Sequence, residues 1–222
     1  MKPATLLSLL FVLLCAACGA SAAPADAKGS AATDGTVAAA PAAAGEAIAI
    51  FAGGCFWCME GPYEAIDGVS DAISGYTGGP EQRPTYQEVS SGSTGHTEAV
   101  LVRYDPKRVT YKQLVDLYWR TMNPTDAGGQ FGDRGTQYRP AIYVSTPEER
   151  ATAEASRAEL EASKRFEEPI IVPIEQADTF WVAEDYHQDY YKTNALNYRT
   201  YRSLSGRKGF LTKKWGIDVG AH

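Results

Sequence analysis

Ala47-Ile48-Ala49-Ile50-Phe51-Ala52-Gly53-Gly54-Cys55-Phe56-Trp57-Cys58-Met59-Glu60 takes the chain from an apolar run, through two glycines, to two thiols three residues apart. Ala47 to Ala52 reads as a short buried strand, because an uninterrupted apolar run of that length bounded by glycine suits a strand covered on both faces. The residues from Cys55 to Ala65 meet no breaker before Gly61-Pro62 and read as a helix. Cys55 is then predicted at a helix start, where unpaired N–H groups and the positive end of the helix dipole favour a thiolate. A spacing of three puts Cys58 on the same face, within reach of a disulfide. This stretch points to sulfur redox chemistry.

Working outward, Val69 to Tyr76 has the spacing of a strand that ends at Gly78-Gly79, and a long polar loop is predicted over 79–96. Thr97 to Tyr104 is a further strand. Tyr111 to Met122 repeats apolar residues at Leu114, Val115, Leu117, Tyr118 and Met122 as a helix does, and Ala141 to Val144 is a strand. The order β-α-β-β-α-β is the split βαβ pattern, so the fold class is α+β, a two-layer ferredoxin-like core with a mixed sheet. Thr146-Pro147-Glu148-Glu149 opens another helix, with Thr as N-cap and Pro at the first helical position, running to about Arg165. A short strand at Ile170-Ile171-Val172, a short helix over 184–192 and an irregular C-terminal wrap beyond about 195 complete the expectation.

The chain has 222 residues and a formal net charge of −6, which argues against a nucleic-acid partner. Residues 1–22 read as an export signal: Met1-Lys2-Pro3 precedes an apolar run, Leu6 to Leu14, too short to span a bilayer. Two processing readings stand. Ala20-Ser21-Ala22 suits soluble secretion to the periplasm, whereas Cys15-Ala16-Ala17-Cys18 suits lipid attachment at Cys18 and a membrane anchor in the cell envelope. Residues 23–45, rich in Ala, Gly and Pro, read as a flexible linker, and 46–222 as the catalytic domain. Nothing in the tail marks an obligate interface, so a monomer is expected.

Cys55 and Cys58 are then the only thiols of the folded part. A permanent staple is the bland reading in an exported protein, yet disulfide stabilisation grows with loop length and a three-residue loop gains little. Zinc lacks a second Cys pair, and His96, His187 and His222 are scattered. Redox use is the favoured reading, with no metal. Glu98 shares a strand face with Val100 and Val102 by the period of two; Ala99 and Leu101 make the other face apolar. A carboxyl at the mouth of such a strand either loses hydration and stays protonated or points into solvent, and the strand pattern leaves both open. Magnitudes show why an acid matters. Lowering a thiol from about 8.5 to about 7 raises the thiolate from roughly 3% to about 50% at pH 7. Lost basicity cuts that gain to roughly threefold, whereas proton donation to an oxygen leaving group is typically worth about 10²–10⁴.

Gly53-Gly54-Cys55-Phe56-Trp57 with Glu60 resembles the signature of the A-type peptide methionine sulfoxide reductases. Further blocks agree in order: Gly75-Tyr76-Thr77-Gly78-Gly79, Pro84-Thr85-Tyr86-Gln87-Glu88-Val89, Gly95-His96-Thr97-Glu98-Ala99-Val100, Asp133-Arg134-Gly135-Thr136-Gln137-Tyr138-Arg139 and Ala183-Glu184-Asp185-Tyr186-His187-Gln188. The resemblance spans about 47 to 200. It implies that Cys55 attacks the sulfur of methionine S-sulfoxide, free or in proteins, that Glu98 protonates the oxygen, and that Tyr86 and Tyr138 hydrogen-bond it, leaving Cys55 as a sulfenic acid. Phe56 and Trp57 would receive the S-methyl group, with Asp133 and Tyr198 completing the site; no cofactor is implied. Where many members have Gly after Phe-Trp this chain has Cys58, and it lacks their C-terminal resolving cysteines. Cys58 is therefore expected to resolve the sulfenic acid as a Cys55–Cys58 disulfide, reduced in turn by a thioredoxin-like partner. His187 is expected to be structural. A thiol-disulfide oxidoreductase acting on client disulfides, which would not need Glu98, and a non-catalytic surface lipoprotein with a structural Cys pair are the alternatives.

Overall fold

The computed structural model describes residues 37–216 and 218–220; the export signal and residues 23–36 of the linker lie outside the described residues. Nine strands are described: β1 (Val37–Ala38), β2 (Ala47–Ala52), β3 (Val69–Thr77), β4 (Thr97–Tyr104), β5 (Gly129–Gln130), β6 (Asp133–Arg134), β7 (Ala141–Val144), β8 (Ile174–Gln176) and β9 (Trp181–Val182). The helices are α1 (Trp57–Glu64), α2 (Tyr86–Ser90), α3 (Tyr111–Tyr118), α4 (Pro147–Ala162), α5 (Tyr190–Thr193), α6 (Ala195–Leu204) and α7 (Arg207–Trp215).

The main sheet runs β1-β9-β3-β4-β2-β7-β8, with β5 and β6 pairing separately. Its centre, β3-β4-β2-β7, is antiparallel throughout, and β8 adds in parallel to β7, so the sheet is mixed. With β2-α1-β3-β4-α3-β7 as the chain order, this is the ferredoxin-like arrangement predicted. The apolar residues on both faces of β2 and β4 are what place them centrally. Phe51, Val100 and Val102 face α1 and α3 through Met59, Tyr63, Leu114 and Tyr118, while Ile50, Ala52, Ala99 and Leu101 meet Phe180 on the reverse face. Phe51 stacks on Tyr63 at 5.1 Å and on Tyr118 at 5.5 Å. Full burial of each such side chain contributes roughly 1.5–3 kcal/mol.

Helix α4 begins as read, Thr146 accepting from the Glu149 N–H at 3.1 Å. Other expectations are corrected. The loop over 79–96 contains α2, set by a reciprocal Thr85–Glu88 capping box. No strand forms at Ile170–Val172: the Ile171 N–H donates to the Pro124 carbonyl at 2.9 Å, and pairing to β7 starts at Ile174. The helix expected over 184–192 is a 3₁₀ turn, Asp185–His187, then α5, separated by Asp189 at φ +54°. The C-terminal wrap is not irregular but helical, as α6 and α7. Their inward positions carry Tyr198, Arg202, Arg207 and Leu211, and buried arginines hide the apolar period. The linker reading also ends early, because Val37–Ala38 pairs with β9 as an edge strand.

Candidate active site

Strand β2 delivers the chain to Gly53-Gly54 at the end of the sheet. Gly54 has φ +84°, and a Cβ there would lie 2.5 Å from Gln130 Cβ and 2.9 Å from Arg207 Nη2. The glycine thus serves both the left-handed turn and the close approach of two side chains. Gly54→Ala is expected to cost at least the ~1–3 kcal/mol of left-handed strain. At roughly 2–4 °C per kcal/mol for a chain of this size, thermal unfolding checks this as a Tm drop of about 2 °C or more.

The two sulfurs emerge from that turn almost out of water, Cys55 6% and Cys58 1% exposed. The helix proper begins at Trp57 with Phe56 as N-cap, which corrects the expectation that Cys55 itself occupies the favourable helix start. Burial pushes the Cys55 thiol up, reinforced by its hydrogen bond with Cys58 and by Glu98. Cys58, inside the first turn, is brought down to about 7, first by its hydrogen bond with Cys55 against the opposing effect of burial, and then by Arg207 and Arg202. Two thiols hydrogen-bonded in this way titrate as one unit, and the first proton lost belongs to the pair.

Glu98, second residue of β4, is 2% exposed, which places it inward rather than toward solvent. One carboxyl oxygen accepts the Phe56 N–H at 3.1 Å, directly beside Cys55. Burial pushes the carboxyl up to about 8 against that hydrogen bond, with Asp133 and Cys58 adding to the rise. Glu98 is therefore mostly a neutral, proton-carrying acid at pH 7. Tyr86, at the start of α2, and Tyr138, in a 3₁₀ turn, are half-buried; both phenols are pushed up first by burial and then by Glu98 and Cys55, which they face.

The remaining predicted residues gather at the same place. Phe56 is fully buried, and Trp57 is half-buried and stacked on Tyr190 at 3.8 Å. Asp133 accepts a hydrogen bond from the Tyr201 hydroxyl, and Tyr201 meets the Trp57 ring edge-on at 6.2 Å. Tyr198 is buried, with its hydroxyl unpaired among the described residues; after burial, Cys58 acts on it most strongly. His187 accepts the Trp57 indole N–H at Nδ1, 3.2 Å away, and burial brings its imidazole down to about 4, so it is neutral. Glu184 accepts from the Tyr76 hydroxyl at 2.9 Å and from the Tyr86 N–H at 2.8 Å, tying β3 to the start of α2. Tyr201, Glu184 and Arg207 were not singled out from sequence. Glu184 stands within the Ala183-to-Gln188 block, whereas Tyr201 and Arg207 lie on the two helices whose period was hidden.

A buried dithiol beside a neutral carboxyl and two phenols defines a thiol oxidoreductase. Residues 47–219 match the family described as Peptide methionine sulfoxide reductase. The chain is 52% identical over 167 residues to peptide methionine sulfoxide reductase MsrA of Streptococcus agalactiae serotype Ia, covering 75% of this chain and 98% of that protein. It is 50% identical over 167 residues to the MsrA of Listeria innocua serovar 6a, covering 75% of this chain and 94% of that one. Among solved structures, methionine sulfoxide reductase A of Corynebacterium diphtheriae superposes with a TM-score of 0.60 at 34% identity, covering 68% of this chain and 76% of that one. Reduced Mxr1 from Saccharomyces cerevisiae gives 0.65 at 29% identity, covering 70% and 90%. The chain belongs to the peptide methionine sulfoxide reductase family, and its chemistry is the thiol-dependent reduction of methionine sulfoxide.

Proposed function

We propose that the Cys55–Cys58 pair reduces the S epimer of methionine sulfoxide, free or in proteins, and is recharged by a thioredoxin-like protein. The observation that carries this reading is the buried, neutral Glu98 carboxyl held by the Phe56 N–H beside the thiols. The Cys55 thiolate attacks the sulfoxide sulfur, and Glu98 gives its proton to the oxygen. The S–O bond breaks and oxygen passes to Cys55, leaving methionine and a Cys55 sulfenic acid. Tyr86 and Tyr138 hydrogen-bond the oxygen as charge builds on it; Phe56 and Trp57 wall the S-methyl group, with Asp133 and Tyr198 completing the site. The Cys58 sulfur then displaces the oxygen. An S–S bond forms, the S–O bond breaks, and hydroxide leaves as water with the Cys58 proton. Two thiols are oxidised, one sulfoxide is reduced, and Glu98 regains its proton from solvent. A disulfide exchanger would have no use for a buried, neutral Glu98 beside its thiols, which disfavours the alternative of exchange with client disulfides. The N-terminal signal supports action outside the cytoplasm, with lipid attachment at Cys18.

The test is a single turnover of the pre-reduced full-length chain with each epimer of N-acetylmethionine sulfoxide. About one methionine per enzyme, with loss of two thiols, is expected from the S epimer, and none above background from the R epimer. Equal use of both epimers would overturn the stereochemical assignment.

A further inference from the structure

Two arginines on the C-terminal helices are buried beside the site, and they differ in one respect. Arg202 forms a two-pronged ion pair with Asp218. Arg207, 1% exposed, has no carboxylate within ion-pair distance among the described residues. Its guanidinium donates to neutral carbonyls, Thr121 at 2.5 Å and Gly53 at 3.1 Å, and lies 4.8 Å over the Phe131 ring. Its Nε has no partner among the described residues. Taking a guanidinium out of water costs several kcal/mol unless charge answers it. The carbonyl it holds belongs to Gly53, two residues before Cys55, and its Nη2 lies 2.9 Å from where a Gly54 Cβ would stand. The arginine is thus built against the turn that presents the dithiol.

We propose that Arg207 is the fixed counter-ion of the Cys55–Cys58 pair, supplied by α7 so that the dithiol is held as a monoanion although both sulfurs are buried. This rests on the reading of Cys55 as nucleophile and Cys58 as its resolving partner. The charged and titratable groups facing the pair are Glu98 from β4, Asp133 from β6, Tyr198, Tyr201 and Arg202 from α6, Arg207 from α7, and the phenols of Tyr86 and Tyr138. Glu98 is neutral and Arg202 is matched by Asp218, so Arg207, with no carboxylate within ion-pair distance among the described residues, supplies the unpaired positive charge. Asp133 also feels Arg207, which draws its carboxyl down against the stronger effect of burial. It follows that the site is electrostatically complete only when the C-terminal helix is docked.

The test reads the thiols without any sulfoxide: thiolate absorbance against pH and iodoacetamide alkylation in the reduced, full-length protein. Arg207→Met is expected to move the titration up by about one pH unit and to slow alkylation about tenfold at pH 6, with Arg207→Lys restoring most of both. Should Arg207→Met fail to fold, Phe131→Glu sets a carboxylate beside an intact Arg207; it is expected to raise the titration while Phe131→Gln leaves it in place. Native-like titration in Arg207→Met, equal shifts in Arg207→Met and Arg207→Lys, or matching curves for the two Phe131 variants would overturn the proposal. Failure of the sulfoxide reading would leave these titrations unchanged, so the two failures are separable.

Discussion

Glu98→Gln is expected to lower the single-turnover rate of methionine formation by about 10²–10⁴, the usual worth of a positioned general acid. The amide keeps the shape of the side chain and can still accept the Phe56 N–H, so folding and the turn should persist while the transferable proton is lost. The pH dependence gives the sharper signature. The proposed chemistry needs one thiolate, which the pair supplies as pH rises through about 7, and a protonated Glu98, which it loses as pH rises through about 8. The folded-state value of Glu98 lies above that of an ordinary carboxyl, so the acid form survives to higher pH and its loss sets the alkaline limb. The native profile should therefore be a narrow bell, and the Gln variant should keep the acid limb while losing the alkaline one. Rapid-quench measurement of methionine across the bell checks both. A variant that retains full rate, or one that still falls above pH 8, would remove Glu98 from the role of acid.

The fold was legible wherever burial follows a simple period. β2 and β4 are apolar on both faces because they are central, and the capping chemistry at Thr146 marks α4 as plainly as any apolar repeat. The Thr85–Glu88 capping box was equally visible and would have placed α2 inside the loop over 79–96. The C-terminal helices were not legible, because a helix whose buried face carries Tyr198, Arg202 and Arg207 lacks the apolar stripe on which a periodicity argument depends. Strands β1 and β9, two residues each, are too short to show a period at all.

The same logic governs the site. Cys55, Cys58 and Glu98 are recognisable because their chemistry is uncommon in those positions. Tyr201 and Arg207 reach the site only because α6 and α7 bring them there. The thiolate expected at Cys55 shows the limit of local reasoning: the helix begins two residues later, burial pushes Cys55 up, and it is Cys58 that is brought down, by its hydrogen bond with Cys55 and by the arginines of α6 and α7.

Cys58→Ser separates the first half of the reaction from the second. Single-turnover reduction is expected to remain within about tenfold of the native rate, because the proposed attack and oxygen transfer involve Cys55 and Glu98 and a serine hydroxyl can still donate a hydrogen bond to the Cys55 sulfur. Recycling should collapse. Cys58 is held in the first turn of α1, hydrogen-bonded to Cys55, and well-placed intramolecular groups act with effective concentrations as high as about 10⁵–10⁸ M. No other cysteine is present among the described residues, so none of them can take the place of Cys58. Thioredoxin-coupled turnover should therefore fall by at least about 10²-fold, while a dimedone adduct forms at Cys55 in the variant but not in the native protein after one turnover. Steady-state turnover equal to native would mean that the reductant attacks the sulfenic acid directly. A full loss of even the first methionine would instead make Cys58 part of the oxygen-transfer step, through the proton it shares with Cys55.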